Sequence, residues 1–166
     1  TAGRAFDELV GGRFGERQQI RGQIGKGNVY LGQRQFADAL AAFNAAVDGA
    51  DRYPEVKAEA ITGQGQTLNK MEQWQKAIDK FKLALAVEGC PDQFKAVAWN
   101  GIGIAQHGLG DAKASLLAHL RVAILYPASA DQYLLALEEA AKRWDELGRN
   151  DRAQSLRDEA RRLSGK

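Results

Sequence analysis

The side chains that most often carry catalysis or metal binding are sparse in this chain. It contains two histidines, His107 and His119, and a single cysteine, Cys90. Neither histidine has the neighbouring carboxylates or thiols that a metal site or a nucleophile–base pair requires. One cysteine forms no internal disulfide or multi-cysteine metal site, and beside Pro91 it is expected in an exposed loop. The residues therefore predict no catalytic site, no metal site and no cofactor.

Three Gly-X-Gly pairs are the next candidates, because glycine-rich loops can bind phosphate. They are Gly25–Gly27, Gly63–Gly65 and Gly101–Gly103. A phosphate loop follows a strand and leads into Lys-Ser or Lys-Thr, which none of the pairs does. Each pair lies inside a predicted helix, where one glycine costs roughly 0.5–1 kcal/mol relative to alanine. We interpret the pairs as points of close helix contact, with a smooth floor for a ligand backbone as the alternative.

The glycine pairs recur every 38 residues, and other positions recur with them. Small residues follow the same step at Ala39, Ala77, Ser115 and Ala153, and so do the core aromatics Phe43, Phe81 and His119, with Arg157 at the fourth position of that series. A fixed period of this size is typical of a helical-repeat array, in which one helix pair cannot bury its apolar face alone. The period predicts an all-α solenoid of about four helix-turn-helix units, at approximately 13–53, 54–90, 91–128 and 129–166.

Apolar residues at three- and four-residue steps predict two helices in each unit. The turns between them are predicted near Gly32, Glu72, Gly110 and Gly148. Asp111 and Asn150 are expected to cap the helices that follow the last two turns.

The two ends of the chain depart from the repeat. Residues 1–12 are predicted to be an N-terminal helical fragment or tail, because Gly11 and Gly12 interrupt a short apolar pattern. At the other end, Arg157 and Arg161 occupy positions that are aromatic or aliphatic in earlier units. A polar last helix is what a solenoid needs at its solvent-facing end.

The repeat resembles the tetratricopeptide repeat (TPR) family. That family's unit has a small residue in its first helix, an aromatic opening its second, then Ala, an aromatic and Ala, with Pro after the unit. The residues Gly65, Trp74, Ala77, Phe81, Ala84 and Pro91 carry this pattern in full, and Trp99, Gly103, Ser115 and Pro127 carry it in the next unit. The resemblance covers about residues 20–163, although the period is about four residues longer than the usual 34.

The resemblance implies a function in binding other proteins. The family binds extended or helical peptides in a concave groove lined by the first helix of each unit. The groove-facing candidates in this register are Arg21, Asn28, Thr62, Gln66, Asn69, Asn100, Ile104 and His107. Their amides could bond a peptide backbone through both donor and acceptor. The alternative is that they are ordinary surface amides.

The family's best-known groove clamps the carboxylates of chaperone tails with Lys, Asn and Arg. Here Ile24, Gly63, Val97 and Gly101 stand where most of those groups are expected, and only Asn28 fits. The carboxylate clamp is therefore not expected.

Composition limits the class of partner. The formal charge is only +2, which argues against a nucleic-acid binder, and no apolar run approaches the roughly 20 residues that span a bilayer. We expect a soluble, cytoplasmic or cell-envelope protein that is not an enzyme and binds a protein or peptide. Because it starts at Thr1, we expect a piece of a longer protein. The alternative function is an assembly or dimerisation segment, with a homo-oligomer formed through the N-terminal end.

Overall fold

The computed structural model describes residues 15–165, which form eight α-helices and no β-strand within that range. The helices are α1 (Glu16–Gly32), α2 (Phe36–Gly49), α3 (Pro54–Lys70), α4 (Trp74–Leu85), α5 (Asp92–Gly108), α6 (Ala112–Leu125), α7 (Ala130–Glu146) and α8 (Asn150–Ser164). The predicted all-α solenoid is confirmed. The fragment predicted at residues 1–12 lies outside the described residues, and the exact limits of the four units stay a prediction.

The helices stack in pairs that curve to one side. Every helix packs against the next one in the chain, and the first helices α1, α3, α5 and α7 also contact one another in succession. The second helices α2, α4, α6 and α8 make no such contact among themselves. The array is therefore concave on the side of the first helices and convex on the side of the second helices.

The glycine pairs and the aromatic residues form one packing unit. The ring of Phe81 lies between Gly65 of its own helix pair and Gly101 of the next, and Phe43 lies in the same way between Gly27 and Gly63. A Cβ atom added at Gly65 would lie 2.6 Å from the Phe81 ring, which is closer than two non-bonded carbon atoms can approach. The packing interpretation of the glycines is thus supported by their geometry.

The cap predictions have different outcomes. The Asp111 side chain accepts a hydrogen bond from the Ala114 backbone N–H at 2.9 Å and caps α6, as predicted. The Asn150 prediction is wrong, because the carbonyl of Arg149 already accepts from Arg152 and Ala153, and α8 therefore begins one residue earlier than a cap at Asn150 requires. On the last helix, Arg157 pairs with Asp145.

The prediction for Cys90 is also wrong. The residue is buried, although it lies in the loop before α5. Burial raises the pKa of its thiol, with Lys95 opposing the shift and Asp92 adding to it. A thiol with a raised pKa carries less thiolate at neutral pH, so this cysteine is less nucleophilic than an exposed one.

Replacing the clamped ring should leave a cavity between units. We expect Phe81→Ala to lower the free energy of unfolding by roughly 3–5 kcal/mol. Arg157→Ala removes only a half-exposed ion pair and should lower it by about 0–1 kcal/mol. Chemical denaturation of both variants measures the difference. Equal losses would contradict the assignment of the ring to the core.

Adding a methyl group where the ring is clamped should also destabilise the fold. Gly101→Ala forces Cβ against the Phe81 ring and should lower the free energy of unfolding by roughly 1–3 kcal/mol. Gly32→Ala is the matched control, since its Cβ meets nothing within 4 Å and alanine is the better helix former. A thermal melt in which the two substitutions act alike would contradict the clamp.

Candidate functional site

A groove runs along the concave side of the array. Its main cavity measures about 430 Å³ and extends across all four first helices, with one contribution from the start of α4. The lining residues are Leu31, Gln66, Asn69, Lys70, Trp74, Val97, Asn100, Gly101, Ile104, Gln132 and Leu135. A second cavity of about 350 Å³ shares Val97 and Gln132 with the first and lengthens the groove.

The wall of the main cavity is largely apolar and almost uncharged. Leu31, Val97, Ile104 and Leu135 supply aliphatic surface. Ile104 is 38% exposed, which makes it the most solvent-exposed of these four side chains. Lys70 is the single charged residue among those that line this cavity. Such a surface favours an apolar side chain over a charged one.

Asn69 joins two first helices and keeps an unused acceptor. Its Nδ2 donates to the carbonyl of Gly101 at 2.8 Å, which ties α3 to α5. The residue is buried, and its Oδ1 has no hydrogen-bond partner. A buried acceptor without a partner costs about 1–3 kcal/mol. Because the Oδ1 atom is inaccessible to solvent, Asn69 serves the contact between α3 and α5 and does not itself face a ligand.

A second bridge joins the core to the groove wall. The amide oxygen of Asn100 can only accept, so His119 Nδ1, 2.9 Å away, must carry the proton. Asn100 Nδ2 then donates to the backbone carbonyl of Gln132 at 2.8 Å and to its side-chain oxygen at 3.1 Å. This chain of bonds orients Gln132, which lines the groove from α7.

His119 is neutral in this environment. Burial lowers its pKa from 6.5 to about 4, the nearby Glu139 carboxylate opposes the shift, and Arg143 adds to it. Its Nε2 has no hydrogen-bond partner and packs against Gly103, where an added Cβ would lie 2.5 Å away. The residue therefore serves packing and the orientation of Asn100, as the sequence predicted for a histidine at a core position.

Half of the eight predicted binding residues line the main cavity. Gln66, Asn69, Asn100 and Ile104 meet there. Two of these, Asn69 and Asn100, are buried and use their amide nitrogens between helices, so the expectation that they are free groove amides needs correction. Gln66 and Ile104 remain exposed to the groove.

The other four predicted residues lie outside that cavity. Thr62 is buried, and its hydroxyl donates to the carbonyl of Glu59 at 2.7 Å. Arg21 and Asn28 are exposed on α1. Burial raises the pKa of the Glu59 carboxyl, and the positive charge of Arg21 opposes that shift. His107 is exposed, with its Nδ1 3.9 Å from the Glu146 carboxylate.

The predicted binding set missed seven lining residues, namely Leu31, Lys70, Trp74, Val97, Gly101, Gln132 and Leu135. The repeat itself could have found some of them. Val97 and Leu135 lie two and three repeats after the predicted residue Arg21, and Leu31 lies one repeat before the predicted residue Asn69. Trp74 carries no such signal, because it belongs to a second helix and reaches the groove from its start.

Residues 15–165 give no support to a metal site or a membrane span. No group of three or more His, Cys, Asp and Glu side chains lies close enough to hold a metal ion. No helix in the same range combines the length and apolarity that crossing a membrane requires.

The chain is similar in fold to solved helical-repeat structures. It matches a Rap protein complexed with Competence and Sporulation Factor at a TM-score of 0.84 and 16% identity, the apo form of RapI at 0.79 and 14%, and MamA at 0.71 and 17%. The matches cover 98%, 97% and 98% of this chain. Identities this low show the fold alone, which is a TPR-like α-solenoid.

The extent of these matches differs. The chain spans about half the length of the two Rap chains, 47% and 46%, and 86% of MamA. No protein-family model matches the chain, and no curated protein matches it significantly.

The neutral state of His119 should make the fold sensitive to acid. Its pKa is about 4 in the folded chain and about 6.5 when exposed, so the unfolded chain binds more protons between these values. Stability from this group is complete above pH 6.5 and falls toward pH 4, by up to roughly 1.4 kcal/mol per pH unit.

The free energy of unfolding, measured by denaturation at several pH values, should therefore depend less steeply on pH for His119→Phe than for the unmodified chain. Phenylalanine holds the equivalent position in the two earlier units. His119→Gln provides a second non-titrating variant if the first folds poorly. Identical slopes in all three proteins would contradict the assignment.

Proposed function

We propose that this chain is a non-catalytic interaction module that binds a peptide or a protein segment in its concave groove. The observation that carries the proposal is a largely apolar cavity whose wall also presents the side-chain amides of Gln66 and Gln132. A ligand with both a backbone N–H and an apolar side chain satisfies both features. Polypeptide offers these two groups together at every apolar residue.

The two amides that line the groove and are not buried favour the same class of ligand. Gln66 is exposed on α3, and Gln132 is oriented on α7 by the bond from Asn100. They stand on either side of the main cavity's central helix α5. An extended segment crossing α5 can exchange hydrogen bonds with both while an apolar side chain contacts Ile104.

The weak charge of the groove limits the partner further. Lys70 is the single charged residue of the main cavity, and the positions of the family's carboxylate clamp hold Ile24, Gly63, Val97 and Gly101. We therefore propose an internal segment with apolar residues rather than a charged chain terminus. A neighbour in fold, the Rap protein complexed with Competence and Sporulation Factor, supports a binding role by analogy alone.

A groove substitution should weaken binding without unfolding the chain. A peptide selected from a displayed random library against the purified chain is the probe, and titration calorimetry gives its affinity. Ile104→Glu places a carboxylate in the apolar wall and should weaken binding at least tenfold, which is about 1.4 kcal/mol.

Leu163→Glu is the matched control, because Leu163 is a comparably exposed apolar residue on α8, away from the groove. It should leave the affinity unchanged. If Ile104→Glu binds the peptide as well as the unmodified chain while its melt is normal, the groove is not the site. That result would favour the assembly or dimerisation function instead.

A further inference from the structure

The convex side of the array exposes an unusual concentration of large apolar side chains. Four of them belong to two second helices, with Leu83 on α4 and Leu117, Ile124 and Leu125 on α6. Leu117 and Ile124 are 68% and 72% exposed, more than any other large apolar residue among those described. Leu117 and Ile124 lie seven residues apart on one face of α6, and apolar surface grouped in this way marks interaction sites more often than isolated exposed residues do.

The same two helices carry an excess of positive charge. Their sequences contain five basic residues, Lys76, Lys80, Lys82, Lys113 and Arg121, against the single acidic residue Asp79. Among residues 15–165 none of the five has an ion-pair partner, whereas basic residues elsewhere pair with Glu55, Asp92 or Asp145. With a total of only +2, the rest of the chain is slightly acidic.

Charged and apolar groups share one side of α6. Lys113, Leu117 and Arg121 follow one another at four-residue steps, and Ile124 lies seven residues after Leu117, so all four project from one helix face. The opposite side of the helix is buried and includes His119. The guanidinium carbon of Arg121 lies 4.1 Å from the centroid of the Trp99 ring, a cation–π contact that holds the side chain in place without neutralising its charge.

The separation of the second helices determines the shape of this surface. Helices α4 and α6 do not contact one another, although both pack against α5. By the repeat, a furrow is expected between them on the convex side, with α5 beneath it. The equivalent furrow between α2 and α4 is open enough to hold a cavity of about 460 Å³, lined in part by Lys76 and Lys80.

We propose that the outer face of α4 and α6, formed by Lys82, Leu83, Lys113, Leu117, Arg121 and Ile124, binds an acidic amphipathic helix of a partner protein. The furrow accepts a rod of helical width, the leucines and the isoleucine contact its apolar stripe, and the unpaired cations face its carboxylates. This site is on the opposite side from the concave groove and does not depend on a ligand there.

Two other occupants fit the surface less well. In a symmetric dimer each patch meets its own copy, so the cations of α4 and α6 would face like charges. An anionic bilayer is flat and touches the crests of a convex surface without entering the furrow. Acidic side chains on a helix satisfy the charge and the shape together.

The probe is a fluorescent synthetic helix with a leucine stripe flanked by glutamates. The control peptide is the same helix with lysines in place of the glutamates. Fluorescence anisotropy should show binding of the glutamate peptide, weakened by added salt, and no binding of the lysine peptide. Absence of binding up to about 1 mM, or equal binding of the two peptides, would overturn the proposal.

Paired substitutions locate the site. Leu117→Gln with Ile124→Gln should weaken binding of the glutamate peptide at least tenfold, and so should Lys82→Glu with Lys113→Glu. Leu109→Gln with Leu163→Gln removes two other exposed leucines and should have no effect. Circular dichroism verifies that each variant is folded. An equal loss in the leucine control would overturn the assignment to α4 and α6.

Sedimentation with phosphatidylserine-containing vesicles tests whether the surface binds an anionic lipid bilayer instead of the acidic helix. The chain should stay in the supernatant at the salt concentration at which it binds the glutamate peptide. Sedimentation with vesicles combined with failure to bind the peptide would replace the proposal with a membrane-surface site.

Discussion

The clamping of an aromatic ring between two glycines is the contact on which the rest of the array depends. Phe81 holds Gly65 of its own unit and Gly101 of the next, and Phe43 does the same one repeat earlier. Because neither glycine has a Cβ, the first helices approach closely on one side of the ring. The second helices stay apart on the other side, and this difference bends the stack and forms the groove.

The third junction replaces this apolar clamp with a polar one. His119 occupies the aromatic position, and Glu139 stands one repeat after Gly101, so no second glycine faces the ring. The imidazole compensates by donating to Asn100, which bonds in turn to Gln132. A packing position thereby becomes the anchor of a groove residue, and the last helix pair is joined to the array by hydrogen bonds as well as by apolar contact.

The repeat period made the helices and the clamp predictable, because both depend on residue types at fixed spacing. The roles of Asn69 and Asn100 were not predictable in this way. Each donates to a carbonyl 32 residues later, so its partner depends on how one first helix is offset along the next. A 38-residue period does not specify that offset. Cys90 was misjudged for a related reason, since loop composition does not reveal what packs over a loop.

Curvature also explains how one chain can present two surfaces of different chemistry. The first helices are close together, so their outward residues converge on a narrow, nearly uncharged cavity, in which Lys70 is the sole ionic group of the lining. The second helices diverge, and their exposed residues Lys82 and Arg121 have no carboxylate partner within residues 15–165. The net charge of +2 is a sum over the whole chain and does not reveal that the two surfaces differ in charge. In a curved repeat protein, charge is therefore informative when it is assigned to the inner and outer helices separately, because the two sets form different surfaces.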